Sequence, residues 1–339
     1  MAYKGKVRAA SAAIALGCMT MFMQSGDAIA ETFEIKISHA ANTKHPIHVV
    51  LEKFKELAEE RSEGRLEVSV FHSSQLAGQR EGVEGLQLGT IEIVAIPNGV
   101  AAGFDPAFML LDIPFQFDDI EHARNVVDAV GETLIFSDLE GSGLVGLAIW
   151  EQGYRNLGTT KPLESGVAGV SDLKLRTMEA PLHITAWRAL GANPTPMGWA
   201  QVFTSLQQGV VDGVEIPSYL FTQTGVHEVI QQVTLTHHIY DSVIVLGSKK
   251  RFDAMPEDLR DIVQQTMREL TSEERDINQR DVEEAEQQLR DLGVEVIELD
   301  AAQMAKFREV AQPPVLEDVA NQVPQEKLDA WLAATEQAR

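Results

Sequence analysis

Residues 174–221, KLRTMEAPLHITAWRALGANPTPMGWAQVFTSLQQGVVDGVEIPSYLF, switch repeatedly between strand and helix periodicity within one short span. Lys174–Met178 reads as a short strand carrying Arg176. Residues 180–190 repeat apolar positions at helical spacing, and 199–209 do so again beyond the proline-rich turn at 193–196. Val210-Val211-Asp212-Gly213 then begins another strand. Strands alternating with helices in this way predict an α/β fold with a mostly parallel sheet.

The same alternation extends in both directions. Phe33–Ile37 and Leu66–Val70 alternate with period two, and between them Val50, Leu51, Phe54 and Leu57 keep helical spacing. Residues 79–88 predict a short helix, Ile91–Ile96 a third strand and 119–139 a further helical stretch. Leu144–Trp150 is apolar on both faces, as a central parallel strand should be. After the strand Val243–Gly247, Pro256-Glu257-Asp258 is a helix start, with proline in the first turn and acids at the positive dipole end. That pattern runs to Gly293 without an internal glycine or proline, roughly 50 Å at helical rise. Its apolar positions keep no heptad, so it predicts a helix bridging two lobes. The expected division is 31–152 plus 242–281 for the first lobe and 153–241 plus 282–339 for the second.

The first thirty residues read as an export segment. Lys4, Lys6 and Arg8 precede an apolar run, residues 9–23, too short to span a bilayer, and Ala28-Ile29-Ala30 is a small-x-small cleavage site. The chain is therefore expected to be exported, with cleavage after Ala30. Ala15-Leu16-Gly17-Cys18 half resembles a lipoprotein box, but alanine stands where leucine is wanted and the apolar run continues to Met23. Cys18 is the only cysteine, so a chain starting at Glu31 has no disulfide, thiol nucleophile or thiolate zinc site. With 28 cations against 51 acids the formal charge is −23; removing the segment leaves 25 against 50, or −25. Such a chain repels nucleic acid and anionic lipid. Beyond residue 30 no apolar stretch reaches transmembrane length.

Motifs for chemistry are sparse. Gly141-Ser142-Gly143-Leu144-Val145-Gly146 fits GxGxxG, yet it follows a helical stretch and enters a strand, the reverse of a dinucleotide site. The nine histidines include His45 and His48 across a proline and the pair His237-His238, but no spacing supplies three metal ligands. They read as surface or hydrogen-bonded side chains. No nucleophile elbow, P-loop or EF-hand loop appears, so no catalytic residue, metal or cofactor is expected.

Residues 190–213, LGANPTPMGWAQVFTSLQQGVVDG, resemble the signature of the substrate-binding proteins of tripartite ATP-independent periplasmic (TRAP) transporters, the DctP-type family. Further matches are SSQLAGQREGVEGLQLGTIEI at 73–93, LLDIPFQFDDIEHA at 110–123, WEQGYRNL at 150–157 and FDAMPEDLRDIV at 252–263. They follow the family's order over nearly all of the chain beyond residue 30. The resemblance implies a two-lobed class II periplasmic-binding-protein fold, with hinge strands and a long bridging helix, closing on a small organic carboxylate. It implies delivery to TRAP membrane permease subunits and no chemistry on the ligand. It maps the principal ligand arginine to Arg176, a second to Arg155 and an aromatic wall to Trp199; Glu215, Ile216 and Asn98 complete the expected ligand-binding set. A guanidinium forks two parallel hydrogen bonds to a carboxylate, which suits Arg176 to this role. Three departures stand out: Ile216 where the family usually has asparagine, Gln201 for glutamate and Asp172 for glycine. Isoleucine cannot donate to a carboxylate, so Ile216 predicts a bias toward acids with an apolar body. Two other classes stay open, a binding protein that signals to a receptor and a periplasmic enzyme.

Overall fold

The computed structural model describes residues 32–163 and 169–339, together with Met1. The expected export segment and its cleavage point lie outside the described residues. Ten strands form one continuous sheet: β1 (Phe33–His39), β2 (Leu66–Phe71), β3 (Ile93–Pro97), β4 (Leu144–Thr159), β5 (Lys174–Thr177), β6 (Asn193–Pro196), β7 (Gly213–Pro217), β8 (Gln232–Leu235), β9 (Tyr240–Ser248) and β10 (Glu295–Glu298). Eight of them run in the order β2-β1-β3-β9-β4-β7-β5-β6, with β8 on the far end of β4 and β10 beside β8. The longer helices are α1 (Pro46–Arg61), α2 (Gln79–Leu88), α3 (Pro181–Ala189), α4 (Glu257–Glu269), α5 (Thr271–Asp291), α6 (Ala301–Gln322) and α7 (Gln325–Gln337).

The sheet is parallel on its flanks and antiparallel in its middle. β1 pairs in parallel with β2 and β3, and β5 with β6 and β7. β4 runs antiparallel to β9 over Leu144–Tyr154 and then antiparallel to β7 and β8 over Arg155–Thr159. The two-faced burial of Leu144–Trp150 is therefore correctly read as central but not as parallel. Burial on both faces follows from helices covering both sides, whatever direction the strand runs. The strand also continues nine residues past Trp150, because bulges near Leu147 and Gln152 bend it from one half of the sheet into the other.

The helix expected over 256–293 is interrupted. A single turn residue, Leu270 (φ −76°, ψ −8°), separates α4 from α5. Its buried side chain belongs, with Leu259, Val263 and Met267, to the core beneath β1 and β2. Past it, α5 places Ala285 and Leu289 in the core around β7 and β8. The break lets each helix keep its buried stripe on its own core. A third core runs along the opposite face of the sheet, from Val83 through Trp187 to Trp331. In that core α6 packs on α3, and α7 returns to Ile120–Val126, where the Trp331 indole N–H donates to Gln116 at 2.8 Å.

Gly153 lies where β4 crosses, with φ +79°, and an added Cβ would meet Val282 Cγ2 of α5 at 3.0 Å. Gly64 has nearly the same φ, +77°, but faces open space. Gly64→Ala should cost about 1 kcal/mol from left-handed strain alone, and Gly153→Ala ~2–3 kcal/mol because α5 must also shift. Equal losses in urea unfolding would remove the close approach of α5 to β4.

Candidate functional site

Parallel strands bring their carboxyl ends to one edge of a sheet, and ligands of open α/β folds bind there. In this chain the ends of β1, β3 and β5 face a cavity of about 330 Å³. His39 closes β1, Pro97 closes β3, and Arg176 with Met178 closes β5. Gln152 and Arg155 on β4 and Asp241 on β9 form the floor; Trp199, Ile216 and Leu220 supply an apolar wall. Opposite lie Asn42, Ser73, Ser74 and Gln79. Ser73 and Ser74 are successive left-handed residues (φ 51° and 58°), held by Ser73 N–H on the Ala41 carbonyl and Ser74 N–H on that of His39.

Arg176 is buried, and its Nε and Nη2 donate to the Met197 carbonyl at 3.2 and 2.8 Å. Nη1 has no acceptor among the described residues, and none of their carboxylates lies within ion-pair distance. The guanidinium carbon sits 5.7 Å from the centre of the Trp199 ring. Burial pulls its pKa down to about 10, with Glu215 opposing, so Arg176 remains charged at neutral pH. A buried cation without a counter-ion is costly, and a ligand anion relieves it.

Arg155 has the same side chain and a different state. Its Nη1 donates to Asp241 Oδ2 at 2.6 Å, its Nε to the Glu215 carboxylate and its Nη2 to the Glu215 carbonyl. Burial opposes its charge, but Asp241 and Glu215 outweigh this and hold it above its ordinary range. Glu215 also meets His183 Nδ1 at 3.2 Å and His238 Nε2 at 3.3 Å. Burial raises the carboxyl's pKa, but Arg155 and His183 win and hold it well below the usual range. His183 Nε2 lies 3.5 Å from Asp112 Oδ2, an ion-pair contact rather than a hydrogen bond. Burial works against the imidazolium; Glu215 and Asp112 outweigh it and lift its pKa to about 9.

The structure thus brings Arg176, Arg155, Trp199 and Ile216 together on the cavity wall. Glu215 lies behind that wall: along β7 it points into the charge cluster while its neighbour Ile216 faces the cavity. Asn98 is not on the wall; its amide donates to the Phe108 carbonyl and Asp112 Oδ1, both at 2.8 Å, and is buried there. His39, His45, Gln152 and Asp241 line the cavity and escaped sequence reasoning. The one usable signal was position: the last residue of a period-two strand in a parallel sheet faces the ligand edge. Ser218 and Tyr219, just past Ile216, do not line this cavity: Ser218 Oγ accepts from Asn156, and the Tyr219 hydroxyl meets His45 Nε2 at 3.1 Å. No cluster of metal-ligating side chains occurs among the described residues, and no described helix is long and apolar enough to cross a membrane.

Residues 37–322 match the model of the bacterial extracellular solute-binding protein family 7, DctP. The chain belongs to that family. It is 34% identical over 314 residues to the C4-dicarboxylate-binding periplasmic protein DctP of Rhodobacter capsulatus, covering 91% of this chain and 92% of that one. It is 33% identical over 251 residues to the 2,3-diketo-L-gulonate-binding periplasmic protein YiaO of Escherichia coli, 74% of this chain and 76% of the other. The sugar acid binding protein DctPAm from Advenella mimigardefordensis, solved with galactonate, superposes with a TM-score of 0.86 at 27% identity, over 91% of this chain and 99% of that one. The DctP fold, two lobes of mixed α/β sheet, is the fold of this chain.

The buried titrating groups set opposite slopes of stability against pH. His183 keeps its proton to about 9 when folded and to about 6.5 when unfolded, so its contribution is full below 6.5 and disappears as pH rises through 9. His39 and His45 are pushed down to about 3, chiefly by burial, so theirs is present above 6.5 and fades as pH falls below it. Tm should fall on both sides of pH 6.5, and His183→Gln should flatten the alkaline arm. An alkaline arm unchanged by His183→Gln would mean that His183 is not a buried cation.

Proposed function

We propose that this protein is the periplasmic binding component of a TRAP transporter, capturing a small organic carboxylate and delivering it unchanged to the membrane permease subunits. The observation that carries this reading is Arg176, a buried guanidinium on the cavity wall without a carboxylate partner among the described residues. It is the group that a carboxylate ligand would complete. The diversity of acids named for the relatives, a C4-dicarboxylate, a diketo sugar acid and galactonate, supports a shared carboxylate anchor with a variable remainder. In this reading the export segment is cleaved after Ala30, and the lobes are 31–152 plus 242–281 and 153–241 plus 282–339. The last helix, packed on Ile120–Val126, then straps the second lobe back onto the first. Bending at the β4 and β9 crossings closes the lobes, excludes water from Arg176 and forms the surface that docks on the permease. Ligand binding sets the population of that closed form.

The cavity is two-sided. Met178, Trp199, Ile216 and Leu220 suit an apolar portion of the ligand, while the serines, Asn42, Gln79 and Gln152 suit polar atoms. This reconciles the expectation drawn from Ile216 with a polar opposite wall. Arg176→Ala should cost at least ~2 kcal/mol of binding, and Arg176→Lys nearly as much, since an ammonium cannot fork. Calorimetry across a panel of small carboxylic acids, with small-angle scattering for compaction, tests both parts. Wild-type affinity in either variant removes Arg176 from the anchor, and an acid recovered chemically altered replaces transport by catalysis.

A further inference from the structure

Two segments far apart in sequence meet at the cavity: residues 42–45, in the loop after β1, and the short helix Ser218–Gln223. Asn42 Nδ2 donates to the Gln223 carbonyl at 3.3 Å, and Gln223 Nε2 donates in return to the Lys44 carbonyl at 3.3 Å. The Tyr219 hydroxyl meets His45 Nε2 at 3.1 Å, both side chains buried and their rings edge to face at 5.6 Å. Gln223 Nε2 also donates to Asp281 Oδ2 of α5 at 3.4 Å. Asn42, His45 and Gln223 line the cavity. On the lobe division proposed above, on which this inference rests, all four bonds join the second lobe to the first.

The surroundings fix the direction of each bond. His45 caps α1: its Nδ1 accepts the Ile47 N–H at 3.2 Å, so the neutral ring carries its proton on Nε2 and gives it to Tyr219 Oη. Burial pulls the His45 pKa down to about 3 and keeps the ring neutral. The Lys44 carbonyl and the Asp281 carboxylate only accept. An inverted Gln223 amide would set oxygen against oxygen at both, so the amide holds one orientation.

We propose that the 42–45 loop and the 218–223 helix form a latch across the ligand cavity, in which Asn42, Gln223 and Tyr219 are positioning residues that slow the release of a bound acid. The floor of the cavity belongs to β4 and β9, where the proposed bend takes place. The latch joins the walls, so its bonds form as the lobes close and break as they open. An acid entering the open cleft meets no latch, and its rate of capture is unaffected. An acid leaving must first break it. Tyr219 separates this role from direct contact, because it does not line the cavity and acts on release only through His45. The latch therefore lengthens the residence of every acid by one common factor and leaves the choice among acids to Arg176 and the rest of the lining.

Stopped-flow tryptophan fluorescence with succinate, galactonate and pyruvate as separate probes tests this. Tyr219→Phe keeps the ring and removes the acceptor; Gln223→Ala removes the amide. Each should raise the dissociation rate about five- to tenfold, the value of one net hydrogen bond, with association unchanged and the same factor for every probe that binds. A second measurement needs no acid. Lys44→Cys with Thr224→Cys leaves all four bonds intact, and adding Cys18→Ser leaves no other cysteine. A short bis-maleimide should cross-link this pair within one chain, and more slowly once Tyr219→Phe is added. Unchanged dissociation in both variants, factors that differ from probe to probe, or no cross-link within the chain overturns the latch. The cross-link decides the matter even where no probe binds. Unchanged affinity in Arg176→Ala would sink the carboxylate anchor and leave both latch results standing.

Discussion

Everything at the cavity depends on where one buried carboxylate spends its charge. Glu215 is fully buried and faces Arg155, His183 and His238 together. By pairing with Arg155 it leaves Arg176 as a lining guanidinium with no carboxylate in ion-pair range among the described residues. Arg155 is near enough to Arg176 to add to the lowering of its pKa, after burial. Exchange of partners would neutralise Arg176, at the wall, and leave Arg155, at the floor, with Asp241 as its one carboxylate. The backbone prevents it. Glu215 binds Arg155 through its carbonyl as well as its carboxylate, and Arg155 sits opposite Pro217 in the β4–β7 register, two residues from the acid. An ion pair anchored at both main chain and side chain does not swap.

The same crossing carries the mechanics. β4 pairs with β9 over one stretch and with β7 and β8 over the next, and the residues that neutralise Arg155 come from β7 and β9 while Arg176 comes from β5. In the closure proposed above, a bend at Gly153 would move Arg176 relative to the β1 and β3 edge without pulling Arg155 from Asp241, because Asp241 lies opposite Gly153 in the β4–β9 register. Charge neutrality at the floor would survive that motion, and the unpaired wall cation would move. In the proposed function that separation would let the cleft close on a ligand without breaking a buried ion pair, a step that would cost several kcal/mol.

Much of the fold was legible because period-two and helical spacing survive in sequence wherever one face is buried. What misled was direction and continuity. The apolar run Leu144–Trp150 reports burial on two faces and says nothing of whether its neighbours run parallel. The helix over 256–293 contains no breaker residue, yet Leu270 ends one segment because its side chain belongs to a different core from Ala285. The site was legible in part for a similar reason. Arg176, Trp199 and Ile216 sit in a recognisable local pattern, whereas His39, Gln152 and Asp241 reach the cavity from three strands far apart in sequence. Asn98 shows the converse: a polar residue just past β3 has the right address but turns inward, because the turn at 106–112 and Asp112 need its amide more than the cavity does.

An unpaired buried cation is unfavourable for the empty protein, and in the proposed function this cost would couple binding to shape. In an open cleft water partly solvates Arg176, so the penalty is small; closing without an anion removes that water and raises it. With an anion present, closing instead strengthens the Arg176–carboxylate attraction, since the same charges interact more strongly as water leaves. The sign of the electrostatic change on closure thus reverses with occupancy. A ligand shifts an equilibrium only by its differential affinity for the two forms, and a shift from mostly open to mostly closed needs a difference of about 5 kcal/mol. One charged, forked hydrogen-bonding interaction supplies roughly 1.5–3 kcal/mol per bond beyond the penalty it removes. A single buried arginine is therefore of the right magnitude to act as the switch, and the remaining walls are free to choose among acids.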